Sequence, residues 1–188
     1  MWTRQASGAP RRIPQMMIVL GIDPGLANTG YGVVVRDGAC LTALDGGVIK
    51  TRAGLAVERR LATIAARIRE LLCEHDCDAM ALEEVYFGQN AHSAFAVGQA
   101  RGVTMLAAGE RGIPCFSYTP QQVKSAVCGH GRAAKDQVAR MVQTLLALPQ
   151  MPASDHASDA LAVAVCHVNG TPLSDAVARA LQGAGARA

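Results

Sequence analysis

The chain has 188 residues, half of them hydrophobic, enough for one well-buried domain and too little for two large ones. Its apolar runs stay far below the roughly 20 residues needed to cross a bilayer, so a soluble protein with no membrane partner is expected. The net charge of +3 comes from Arg4, Arg11 and Arg12, and the remainder balances 15 basic against 15 acidic residues. Global charge therefore gives no licence for nucleic-acid binding, and any basic surface has to be local.

Residues 1–15 are polar, Pro- and Arg-containing and acid-free. They read as a disordered extension, or as sequence upstream of a start at Met16 or Met17. Residues 17–23 read as a buried strand. Asn28-Thr29-Gly30 is a turn signal, and residues 31–36 form a second strand. After a turn at Asp37-Gly38, residues 39–50 read as a third strand with an irregularity at Gly46-Gly47. Three strands joined by tight turns make an antiparallel meander. The period then changes: Leu61, Ile64, Ala65, Ile68, Leu71 and Leu72 predict an amphipathic helix over 55–75. A fourth strand is expected at 78–85, an Ala-rich helix at 91–110 and a short fifth strand at 114–118.

Thr119 caps and Pro120 opens a helix that stops by Gly129. A further helix is expected at 134–147, and Ser154 caps a last core helix over 154–168. The expectation is one α/β domain over 16–170, with a five-stranded mixed sheet and helices on both faces, followed by a flexible tail at 171–188. Small residues at Ala94, Gly98, Gly102 and Ala108 suit close helix approach, with a dimer interface as its use. The six cysteines (Cys40, Cys73, Cys77, Cys115, Cys128, Cys166) contain no C-x-x-C pair and read as small core thiols in a reducing cytosol, hence a cytoplasmic protein.

Three acids stand in apolar surroundings: Asp23 at the end of the first strand, Glu83 within the fourth and Asp159 in the first turns of the last helix. Each has a plain alternative. Asp23 precedes Pro-Gly and can cap the turn. Glu83 and Glu84 point to opposite faces, so one of them can be solvated. Asp159 suits a helix N-terminus. Brought together, the three would repel strongly unless a cation sat among them. Hard oxygen ligands with open positions suit Mg²⁺ or Mn²⁺, and two such ions roughly 4 Å apart can clamp the oxygens of a phosphodiester displacement. On the last helix, at about 100° per residue, Asp155 lies at about 0°, Asp159 at about 40° and His156 at about 100°, so all three can face one site.

GIDPGLANTGYGVV, ALEEVY, GQARGV, QQVKSAVCGHG and DHASDALAVA occur in this order across residues 17–168. This series resembles the RuvC family of crossover (Holliday) junction endodeoxyribonucleases. The resemblance implies an RNase H-like fold, a homodimer and metal-dependent nicking of four-way junction DNA. It implies paired nicks in two opposing strands that ligase can seal, in recombination and repair. It maps the family's acidic quartet onto Asp23, Glu83, His156 and Asp159, with two Mg²⁺ or Mn²⁺ ions per active site. Asp23 and Asp159 would be ligands, and Glu83 would also orient the attacking water. His156 replaces what is often a carboxylate, giving a less negative and softer ligand set.

Residues 119–140 carry Lys124, Arg132, Lys135 and Arg140 against Asp136, a local excess of three positive charges. Lys124 and Lys135 match DNA-contacting lysines of the family. Arg132, in a Gly-containing loop, is a further candidate, whereas Arg140 suits a solvated helix face. Tyr86 and Phe87 could stack on bases opened at a junction, or one of them could pack in the core. The resemblance also implies the branch-migration proteins RuvA and RuvB as partners. A G-I-D-x-G opening with a Gly-rich hairpin is shared by actin-like and sugar-kinase ATPases, where the hairpin cradles phosphate. The chain is too short for their two duplicated halves.

Overall fold

The computed structural model describes residues 16–84 and 91–185. Its elements follow the expected order. They are β1 (Met16–Asp23), β2 (Asn28–Asp37), β3 (Cys40–Lys50), α1 (Val57–Glu74), β4 (Ala79–Glu83), α2 (Ala91–Gly109), β5 (Cys115–Tyr118), α3 (Pro120–Cys128), α4 (Lys135–Leu145) and α5 (Asp155–Gly185). The sheet order is β3-β2-β1-β4-β5, antiparallel through the meander and parallel from β1 to β4 to β5.

Both faces of the sheet are apolar because helices cover both. Successive strand residues point to opposite faces, and the two cores divide by that parity. Leu20, Ile22, Val33, Met80 and Leu82 pack against α1 and α2. Val19, Val34, Ala79 and Ala81 pack against α3, α4 and α5. On β1 the residues in step with Val19 are Gly21 and Asp23, so Asp23 belongs to the α5 side.

α5 lies almost on the strand backbone. A Cβ at Gly21 would stand 2.1 Å from the Ala160 carbonyl oxygen, and one at Gly30 would stand 2.0 Å from that of His156. Gly21, Gly30 and Gly32 of the opening hairpin therefore lie against a helix and are closed to a phosphate, whereas Gly25 in the reversal faces the Asn28 carbonyl.

Several local expectations are corrected. Asn28-Thr29-Gly30 is no turn: it opens β2, and the reversal lies at residues 24–27. Thr29 is fully buried there, and its hydroxyl donates to the Gly25 carbonyl at 2.6 Å, so it closes the reversal from the strand side. The β3 irregularity falls between the pairs Val33↔Asp45 and Val34↔Ala43, leaving Leu44 as the extra residue. Gly47 pairs regularly with Tyr31, and a Cβ there would meet the phenol ring at 2.9–3.1 Å, so this glycine makes room for an aromatic side chain. α5 runs on to Gly185 instead of ending at 168. Cys77 and Cys166 are buried, but Cys40 and Cys73 are exposed, so the core-thiol reading holds for only part of the set. Among the described residues no helix is long and apolar enough to cross a membrane.

Candidate active site

β1 and β4 are parallel neighbours with Ile22 beside Leu82, so the next residues, Asp23 and Glu83, end the two strands side by side. In open α/β sheets ligands collect at such carboxyl ends. Parity puts Glu83 on the face of Ala79 and Ala81, the α5 face. Glu84 points away and is exposed.

The third carboxylate arrives with α5. Ser154 caps this helix, its Oγ accepting the Ala157 N–H at 3.1 Å. The close approach at Gly30 sets the first turn over the sheet. His156 then reaches Asp23, with Nδ1 2.7 Å from Oδ2. Asp155 does not take this place: it is 78% exposed and turns to Lys135. The Lys135 ammonium lies 3.3 Å from Asp155 Oδ2 and 3.0 Å from Asp159 Oδ2. A cleft of about 230 Å³ gathers Glu83, Asp159, Lys124 and Lys135 between α3, α4 and α5.

The electrostatics are those of crowded carboxylates. Burial first, then the charges of Asp23 and Asp159, push Glu83 up to about 7, against the opposing pull of Lys135 and Lys124. Burial also raises Asp159, with the Lys135 hydrogen bond working against it. Lys135 loses some stability as a cation through burial, and its contacts with Asp159 more than restore it.

Among the described residues no three His, Cys, Asp or Glu side chains form a ready metal cage. Asp23 is turned to His156, and Asp159 to Lys135. The donor types nonetheless fit a hard divalent cation. They are mostly carboxylate oxygens, they raise one another's proton affinity, and a cationic ammonium already stands among them.

Of the predicted nucleic-acid contacts, Lys124 and Lys135 line the cleft, and Arg132 is exposed in the loop between α3 and α4. Arg140 pairs with Asp136 one turn away, in keeping with a solvated helix face. Tyr86 and Phe87 lie outside the described residues.

Sequence reading assigned no role to Arg101. From α2 it donates through Nη1 to the Glu83 carbonyl at 2.9 Å and through Nη2 to Ser117 Oγ, tying together the ends of β4 and β5. Its signal was there: it is the sole Lys or Arg in an Ala- and Gly-rich helix.

The sheet order, with carboxylates ending β1 and β4 and a third on the helix across them, defines an RNase H-like α/β protein. The family described as crossover junction endodeoxyribonuclease RuvC matches residues 19–167. Relatives of that description from Moorella thermoacetica and Pelotomaculum thermopropionicum are 53% and 48% identical. They cover 83% and 81% of this chain, and 93% of the relative in each case. The structure of T. thermophilus RuvC in complex with Holliday junction substrate superposes with a TM-score of 0.81 at 41% identity, over 84% of this chain and 96% of that one. The chain belongs to the RuvC family of crossover junction endodeoxyribonucleases, which are metal-dependent nucleases.

Proposed function

We propose that this protein resolves four-way DNA junctions by paired symmetric nicks, through two-metal phosphodiester hydrolysis in recombination and repair. The observation that carries this reading is the meeting of Asp23, Glu83 and Asp159 on one face of the sheet, in company with Lys124 and Lys135. Family membership supports the junction as substrate, since a matched relative is described in complex with one.

Hydrolysis needs a water aligned with the phosphorus, a group that receives its proton, and positive charge at the phosphate oxygens. Two Mg²⁺ or Mn²⁺ ions held by Asp23, Glu83, His156 and Asp159 would supply Lewis acidity for the attacking and leaving oxygens. Glu83 would share in holding the ions and orient the attacking water. With Nδ1–H donating to the Asp23 carboxylate, the His156 ring is fixed with the Nε2 lone pair free to act as a ligand. Lys124, Lys135 and Arg132 hold backbone phosphates without reading sequence. Arg101 keeps Glu83 at the strand end. Tyr86 and Phe87, in the link from β4 to α2, are assigned to stacking on opened bases.

Two opposing strands require two sites. Phe95, Met105 and Leu106 on α2 are 66%, 41% and 55% exposed beside Gly98 and Gly102, an apolar face suited to a second copy. RuvA and RuvB are proposed as the branch-migration partners. The test is nicking of a labelled four-way junction and a matched linear duplex in Mg²⁺ and in Mn²⁺, with wild type and Asp23→Asn. Junction-selective, metal-dependent cutting lost in the variant is expected. Tight junction binding without cutting in either metal would mean a binding module instead.

A further inference from the structure

The link from β3 to α1 carries cations that the mechanism above does not use. Lys50 ends β3, Arg52 follows it, and Arg59 and Arg60 stand in the first turn of α1, with Glu58 as the only acid from 50 to 60. Lys50, Arg52 and Arg59 are exposed. Among the described residues none of these four cations is within salt-bridge distance of a carboxylate, whereas Arg67, Arg69, Lys135 and Arg140 all are.

This segment is fastened to the turn that follows Asp23. The Thr51 N–H donates to the Ala27 carbonyl at 3.0 Å, and the Thr51 hydroxyl donates to the Leu26 carbonyl at 2.6 Å. The same hydroxyl accepts from Arg60 Nε at 2.8 Å. Pairing fixes the side of the sheet. Asp23 pairs with Gly30, Gly30 with Val48, and Asn28 with Lys50. Ile49 is buried under α1, so Val48 and Lys50 take the opposite, α5 face. Val48 therefore lies roughly 10 Å across the sheet from Asp23, and Lys50 shares that face two residues farther along β3. It borders a groove of about 480 Å³ that also touches Ser154, just ahead of His156. Lys124 and Lys135 line a separate cleft with Glu83 and Asp159, between α3, α4 and α5.

We propose that Lys50, Arg52 and Arg59 form a second phosphate-contact surface, which holds the nucleic-acid backbone on the β3 side of the carboxylates. The inference rests on the nuclease reading and adds the path of the strand beyond the cut. Cations without a carboxylate partner gain most from phosphate, because binding there releases condensed counterions. Holding the backbone on both sides of the scissile phosphate is also what in-line alignment requires.

The test is binding of a labelled four-way junction over a salt series by wild type, Lys50→Gln/Arg52→Gln, and a control of equal charge change, Arg69→Gln/Arg111→Gln. Each lost phosphate contact lowers the log–log salt slope by about 0.9. The first variant is expected to lose about 2 in slope per bound protomer, about 4 for a two-copy complex, and the control to keep the wild-type slope. A full slope in Lys50→Gln/Arg52→Gln, or an equal loss in the control, overturns the surface while wild-type junction cutting still stands. Wild-type protein that neither prefers nor cuts four-way DNA overturns both readings.

Discussion

Gly21 and Gly30 lie beneath α5 with no space for a methyl group, whereas Gly98, Gly102 and Gly109 of α2 would meet nothing within 4 Å. Under α5 the missing side chains let a helix rest on strand backbone, and that contact sets His156 and Asp159 over Asp23. On α2 the missing side chains leave a shallow apolar face, while Ala94, Ala100, Ala107 and Ala108 of the same helix are buried in the core. One residue type serves a closed contact inside the chain in the first region and an open surface in the second. What distinguishes them is the element packed opposite.

The largest expected effect comes from closing the tight contact. Gly30→Val should drive α5 from its seat, costing about 1–3 kcal/mol or more from overpacking. A shift of about 1 Å at the carboxylates should lower single-turnover nicking by about a hundredfold. Wild-type nicking in this variant would show that the seat does not position the site.

Next comes the charge gathered in that region. Glu83 binds its proton more tightly in the folded chain than the ordinary value of 4.5 allows, up to about 7. Between these values the folded state carries the extra proton, so stability of the metal-free protein should fall as pH rises through this window. The fall is of order 1–3 kcal/mol. Melting in chelator should show it, and Glu83→Gln should flatten it.

On the open surface, Leu106→Glu should weaken self-association about tenfold or more, a loss of about 1.4 kcal/mol, while leaving monomer stability within about 0.5 kcal/mol. Sedimentation and melting would read the two effects separately. The smallest effect belongs to Gly102→Ala, which should stabilise α2 by at most about 1 kcal/mol through backbone entropy. A strong destabilisation there would mean that this face is closed after all.

Strands, helices and their order were legible because period-2 and period-3.6 patterns report which faces are buried. Asp23, Glu83 and Asp159 were legible because charges in apolar runs stand out. Thr29 and Gly30 misled for a physical reason. Asn-Thr-Gly favours reversal locally, but burial of Thr29 and the descent of α5 onto Gly30 draw both into β2. Lys135 could be read as basic but not as the counter-charge of Asp159 and Asp155, because that contact joins the starts of two different helices across the intervening length of α4 and its loop. Arg101 could likewise be read as the lone cation of its helix, but its partners could not, because they lie on two strands outside it.

The alternation of faces along β1 carries a consequence for how such a gene can change. Loss or gain of a single codon between Met16 and Asp23 would turn the rest of the strand over. Leu20 and Ile22 would then exchange places with Gly21 and Asp23. The bulky pair would strike α5, and the carboxylate would be buried among the leucines and isoleucines of the α1 core. Insertions and deletions should therefore be eliminated from this segment before most substitutions are, and its length should vary less across descendants than its composition does.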